Sequence, residues 1–111
     1  HRLIQMLMEG ALSKITAAKE LMQHGEIAGK GEQISWAISI IDGLRVSLDK
    51  SAGGELAENL DALYDYMMRQ LLLANVQNDP ALLDEVRSLL GQIKDGWDAI
   101  ADVAAEAHSA A

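Results

Sequence analysis

The chain has 111 residues, a formal charge of −8 and no cysteine, which fits one compact domain that buries its own core without covalent staples. Zero cysteines exclude a disulfide framework, thiolate catalysis and thiolate metal sites. The acidic balance argues against nucleic acid or an anionic membrane as partner. Half the residues are apolar, yet only two Trp and two Tyr are aromatic and Phe is absent. Ala, Leu, Ile and Met supply the rest, which is helix-forming rather than strand-forming stock. No apolar run is long enough to span a bilayer, and no signal peptide opens the chain. A start at His1 rather than Met reads as a fragment or processed chain without its native N-terminal segment.

Helical spacing predicts four segments within a single domain, residues 1–111. In the first, Ile4, Leu7, Met8, Ala11, Leu12, Ile15, Ala18 and Met22 form one apolar row, and Leu3, Met6, Gly10, Ala17 and Leu21 form a second beside it. Gly25 is the expected stop, with Gly29 and Gly31 marking the break that follows. The second segment carries Ile34, Ala37, Ile38, Ile41, Leu44 and Leu48, flanked by Trp36 and Ile40. Ser51-Ala52-Gly53-Gly54 is expected to end it.

The third segment starts near Glu55, with Leu56, Leu60, Leu63, Met67, Leu71 and Ala74 on one face, widened by Tyr64, Met68 and Leu72. Glu55 and Glu58 suit the positive end of its dipole. Asp79 then Pro80 reads as an N-cap followed by the first helical residue. The fourth segment carries Leu82, Val86, Leu89, Ile93, Trp97, Ile100 and Ala104, with Asp84, Ser88, Asp95, Asp98 and Asp102 opposite. Four helices of similar length with short connections predict an all-α, antiparallel up-down-up-down four-helix bundle.

A search for chemistry returns no catalytic set. Phosphate-loop, nucleophile-elbow and zinc-protease motifs are missing. His1, His24 and His108 stand at segment ends and make no metal-ligand set. A phosphotransfer bundle needs an exposed histidine in mid-helix, whereas His24 immediately precedes the helix-ending Gly25. Asp61 and Asp65, with Arg69 four residues on, read as a solvated, salt-bridged face. No enzyme, metal or cofactor is indicated. Two features are left over. Gly10, Gly43, Gly91 and Gly96 stand inside helices, either for close helix approach or as a groove floor for a ligand helix. The apolar arcs, with all five methionines on them, also exceed what a minimal bundle buries, which suits an amphipathic partner helix.

Several stretches resemble one family. His1 to Leu12 resembles the first helix of the flagellar export chaperones of the FliS type. Lys30-Gly31-Glu32, Ile41, Leu44, Arg45, Leu48 and Asp49 are similar to that family's second helix. Asn59-Leu60-Asp61-Ala62-Leu63-Tyr64-Asp65-Tyr66-Met67, with Arg69 and Leu71, is similar to its third and is the most specific part. Leu89-Leu90, Ile93 and Trp97 are similar to its fourth. Met8 departs from the family, which often has Tyr there.

The resemblance implies a cytoplasmic chaperone without cofactor. It would bind the C-terminal segment of flagellin, prevent premature polymerisation and deliver the cargo to a component of the flagellar type III export gate. It further implies apolar grooves, for which the candidates are Ile34, Ile38, Ile41 and Leu48 on the second helix and Leu63, Tyr64, Met67, Met68 and Leu71 on the third. A chain without the family's N-terminal segment would leave apolar surface open, so a homodimer or swapped oligomer is expected. Two alternatives stay open: a histidine phosphotransfer-like signalling bundle, and another helical adaptor. Residues 1–54 carry six basic and six acidic side chains, and residues 55–111 carry three and eleven, so all of the −8 lies in the second half. Asp84, Asp95, Asp98 and Asp102 read either as a solubilising face or as a docking face for a basic partner.

Overall fold

A computed structural model describes residues 2–99. They fold into four α-helices: α1 (Arg2–Gln23), α2 (Ile27–Val46), α3 (Lys50–Gln77) and α4 (Pro80–Ala99). Each helix packs on its sequence neighbours, α4 closes back on α1, and among the described residues the diagonal pairs do not meet. Side-chain pairs run antiparallel along every seam they mark. Lys14 meets Trp36 and Leu21 meets Gly29 where α1 faces α2, Arg45 meets Asp61 and Lys30 meets Asn75 where α2 faces α3, and Lys19 meets Asp84 and Glu9 meets Lys94 where α1 faces α4. This is the up-down-up-down bundle that the sequence pattern predicts.

Each helix sends one row of side chains to the interior. The rows are Ile4, Met8, Ala11, Ile15, Ala18 and Met22 from α1, and Ile34, Ala37, Ile41 and Leu44 from α2. Ala57, Leu60, Tyr64, Met67, Leu71 and Ala74 come from α3, and Leu83, Val86, Leu90 and Trp97 from α4. Burying each of the larger aliphatic side chains contributes roughly 1.5–3 kcal/mol. Tyr64 lies at the middle of the α3 row, and burial pushes its hydroxyl well above the usual tyrosine range, so it stays neutral.

Boundaries and buried registers differ from expectation. Gly25, at φ 74°, turns the chain alone, and α2 resumes at Ile27 with Gly29 and Gly31 inside it. Gly29 marks a close approach rather than a break, since a Cβ there would lie 3.2 Å from Leu21 Cδ1. Ser51–Gly54 does not end α2, which stops at Val46. It forms an entry turn of α3 instead, because the Asp49 carboxylate accepts from the Ser51 and Ala52 amides as an N-cap. Gly54, at φ 55° and ψ −129°, then kinks the chain into the long part of α3. On α4 the buried register is Leu83 and Leu90, while Leu82 and Leu89 flank them half-buried. Asp79 and Pro80 do open α4, with the Asp79 carboxylate accepting from the Ala81 amide at 2.9 Å. Ile100, Asp102, Ala104 and two of the histidines, His1 and His108, lie outside the described residues.

Charges hold the α2–α3 turn. Arg45 Nε donates to Asp61 at 2.8 Å, its Nη1 lies 3.6 Å from Asp65, and Lys50 reaches Asp61 at 3.5 Å. Arg69 bridges Asp65 at 3.1 Å, as the sequence spacing predicts. Arg45 is the member that links two helices, so it ties the like-charged Asp61 and Asp65 to α2. The Arg45 hydrogen bond, followed by the charges of Arg45 and Lys50, holds the Asp61 carboxyl below its ordinary value. Hydrogen bonds from the Ser51 hydroxyl and the Ala52 amide do the same for Asp49.

Gly54→Ala forces a side chain into a conformation reserved for glycine and should destabilise the bundle by about 1–3 kcal/mol. Gly91→Ala, with nothing within 4 Å of the added Cβ, should stabilise it by roughly 0.5–1 kcal/mol; urea denaturation of both variants reads the opposite signs. A carboxylate depressed in the folded state adds stability above its ordinary value and loses it as pH falls through the folded value. Melting temperature should therefore drop below about pH 4, and Asp61→Asn should lower the neutral-pH melting point while flattening that acid limb.

Candidate partner-binding surface

The seam between α2 and α3 is clasped at both ends. Arg45 and Asp61 close one end. At the other, Lys30 is 5% exposed and its ammonium donates to the Asn75 backbone carbonyl at 2.6 Å. That carbonyl belongs to the last turn of α3, which has no helical partner of its own and sits at the negative end of the dipole. A buried lysine is therefore satisfied by a helix C-terminus instead of a carboxylate. Among the described residues no buried side-chain nitrogen or oxygen lacks a hydrogen-bond partner. The family resemblance includes Lys30 without giving it a role; the sequence signal for its burial is a cation one turn before Ile34, in the apolar row.

The nine groove candidates separate by depth. Ile34, Ile41, Tyr64, Met67 and Leu71 are 0–1% exposed and belong to the interior rows. Ile38 and Met68 lie half-buried on the flanks of those rows, and Leu63 is half-buried on α3. Leu48 is also half-buried, but it follows the end of α2 and lies in the turn to α3. Beyond them, Leu72 at 55% and Val76 at 83% exposed continue α3 at one-turn spacing from Met68, with Leu73 beside them. Leu72 was visible in the sequence as a widening of the α3 face; Val76 was not singled out, since an isolated exposed Val carries no signal by itself.

Apolar surface is exposed on the other flank of α2 as well. Leu3, Met6 and Trp36 are each about half exposed, and Lys14 Nζ sits 3.8 Å from the centroid of the Trp36 ring. Of the four interior glycines, Gly10 faces Ile40, where an added Cβ would make ordinary contact at 3.6 Å. Gly43, Gly91 and Gly96 have open space, so tight helix approach explains none of the four.

The acidic face is partly neutralised from within. Asp84 pairs with Lys19 at 2.9 Å across the α1–α4 seam and with Arg87 at 3.4 Å along α4. Lys94 holds Asp98 at 2.9 Å, and Asp95 is exposed. Asp102, the fourth member, is outside the described residues. On α3 and α4 the Tyr66 hydroxyl donates to Glu85 at 2.9 Å, which raises its value above the usual tyrosine range.

His24 is exposed, directly after the last residue of α1, with Nδ1 2.7 Å from the Glu20 carbonyl. It lies at a helix end, not in mid-helix where a phosphotransfer bundle needs it. No group of three or more His, Asp or Glu among the described residues is placed to hold a metal ion. No helix among them is long and apolar enough to cross a membrane.

Comparison with known proteins places this surface in context. The sequence pattern of the family "Flagellar protein FliS" matches residues 1–104. The chain is 53% identical over 100 residues to the flagellar secretion chaperone FliSB of Pseudomonas aeruginosa, covering 90% of this chain and 79% of that protein. It is 48% identical over 101 residues to the flagellar secretion chaperone FliS of Salmonella typhimurium, covering 90% and 75%. With the FliS of Bacillus subtilis it shares 34% over 92 residues, covering 83% and 68%.

Proposed function

Because the chain belongs to the FliS family of flagellar secretion chaperones, a family of chaperones and not of enzymes, we propose that its cargo is the C-terminal segment of flagellin. It binds that segment in the cytoplasm, keeps it from polymerising early and hands it to a component of the flagellar export gate. Binding and release need no cofactor. They rest on apolar burial against a preformed helical surface.

The observation that carries this reading is the row Met68, Leu72 and Val76 on α3, which runs from half-buried to largely exposed. Ile38 of α2 joins it from across the seam, and the Lys30 and Arg45 clasps fix the separation of the two helices. An amphipathic cargo helix laid along this edge would cover side chains that water now covers. Ile34, Ile41, Tyr64, Met67 and Leu71 support the groove from beneath. The acidic α4 face, with Asp95 and the salt-bridged Asp84 and Asp98, is the docking side for a basic export component.

Leu71→Asp would place a charge in the core and unfold the bundle, so the informative change is one residue further along. Leu72→Asp with Val76→Asp should leave the helical circular dichroism intact and weaken a flagellin C-terminal peptide at least about tenfold in fluorescence anisotropy. Unaltered affinity in a folded variant would remove the α3 edge from the cargo site. The same edge is where the unloaded chain meets a second copy. Light scattering at high concentration should show a dimer that the double variant abolishes, and a wild-type monomer would count against it.

A further inference from the structure

The cargo reading uses the α3 flank of α2 and leaves the α1 flank unexplained. That flank is the shallow furrow between two helices packed side by side, floored by their seam contacts. Gly10 lies against Ile40, Lys14 against Trp36, and Leu21 against Gly29, in antiparallel order. At one end, beside the α1–α2 turn, Ala17, Glu20, Leu21, His24, Glu26 and Gln33 line an open cleft of about 440 Å³. At the other end Met6 and Leu3 continue the row one and two turns beyond Gly10, 53% and 48% exposed. Trp36 stands in the middle at 52% exposed.

We propose that this furrow is a second docking surface, for an amphipathic helix of another protein whose apolar row ends in a lysine or arginine. The charge pattern specifies that end. Glu20 and Glu26 both border the cleft, both are exposed, and among the described residues neither takes part in an ion pair. Among the described residues no lysine or arginine lines the cleft. A cationic side chain entering there meets two carboxylates that no ion pair compensates, and such complementarity orients a partner and speeds its encounter.

The apolar pattern specifies the rest. From Ala17 back to Leu3 the furrow runs about 21 Å at 1.5 Å per residue, the length of a partner helix of roughly four turns. Trp is the side chain most enriched at binding hot spots. Lys14 stacks over the Trp36 ring and holds it in place before any partner arrives, which reduces the entropy lost on docking. Gly43 has open space where a side chain would stand, so a helix can approach the α2 backbone there, while Ile40 covers Gly10.

A second copy of the chain fits this surface poorly. Docked furrow to furrow about a twofold axis near the middle of α1, each copy would bring its Lys14 towards the other's, like charge on like. Flagellin on the α3 flank would not contend for the same side chains, because α2 separates the two surfaces. The furrow therefore accepts its partner while cargo is bound.

The test uses the whole chain and a designed, fluorescein-labelled helix of about sixteen residues, with leucines at three successive turns and two arginines at one end. A control peptide carries two glutamates in their place. The arginine peptide should bind at least about tenfold tighter than the control. Trp36→Ala, and separately Glu20→Lys with Glu26→Lys, should each weaken it by a similar factor, whereas Leu72→Asp should leave it unchanged. Met6→Glu, at the far end, gives a second independent loss should Trp36→Ala perturb folding. Equal binding of the two peptides, indifference to the furrow variants, or displacement of the arginine peptide by a flagellin C-terminal peptide would each overturn the proposal. A dimer in sedimentation that depends on Trp36 would overturn it in favour of self-association.

Discussion

The interior of this bundle is one side chain deep per helix, and most of its properties follow from that constraint. A molecule of 43 × 21 × 18 Å with no Phe has no room or need for a second internal layer. Each helix buries a single row of medium-sized aliphatic residues, with Tyr64 and Trp97 as its aromatic members. Helical sequences that are half apolar supply more such residues than one row takes. The surplus lies along the seams between helices, half-buried as at Ile38, Ile40 and Met68 or exposed as at Met6, Trp36 and Leu72. Surface of that kind is costly for a chain that works alone, and it is the natural equipment of one that holds another chain.

The same constraint explains how far the sequence could be read. Element number, order and type were legible, because four long segments with a 3.6-residue apolar period have few other ways to bury themselves. Depth was less legible. Leu82-Leu83 and Leu89-Leu90 are adjacent pairs, and a periodicity that accepts either member cannot choose the buried one; the choice is made by the packing of α4 against α1 and α3. On α3 the row centred on Leu63 and the row centred on Tyr64 differ by one residue, and the interior took the larger ring.

The boundaries were misread for a different reason. Glycine has two uses, and only geometry separates them. Gly25 and Gly54 adopt positive φ and turn or kink the chain. Gly29 lies inside α2 with ordinary helical neighbours and is small because Leu21 packs on it. In sequence all three look alike. Ser51 and Ala52 similarly read as a helix stop, until Asp49 is recognised as a cap that makes them a beginning. The Arg45–Asp61 clasp was beyond local reasoning altogether, since its partners are sixteen residues apart and meet only when α2 and α3 are folded together.

Charge placement completes the division of labour between the helices. The excess acid of the second half is not a uniform coat. Arg45, Lys50 and Arg69 consume the aspartates on the α2 side of α3, and Lys19, Arg87 and Lys94 consume two of those on α4. Much of the acidic charge near the seams is therefore spent on holding helices in register. That leaves α2 flanked on both sides by surplus apolar rows and fixed to α3 by Lys30 at one end and Arg45 at the other. A helix so placed has to be rigid, because both of its flanks are defined by its distance from a neighbour. The clasps supply that rigidity at both ends of the α2–α3 seam, and the Lys14–Trp36 stack holds α2 to α1 midway along the other.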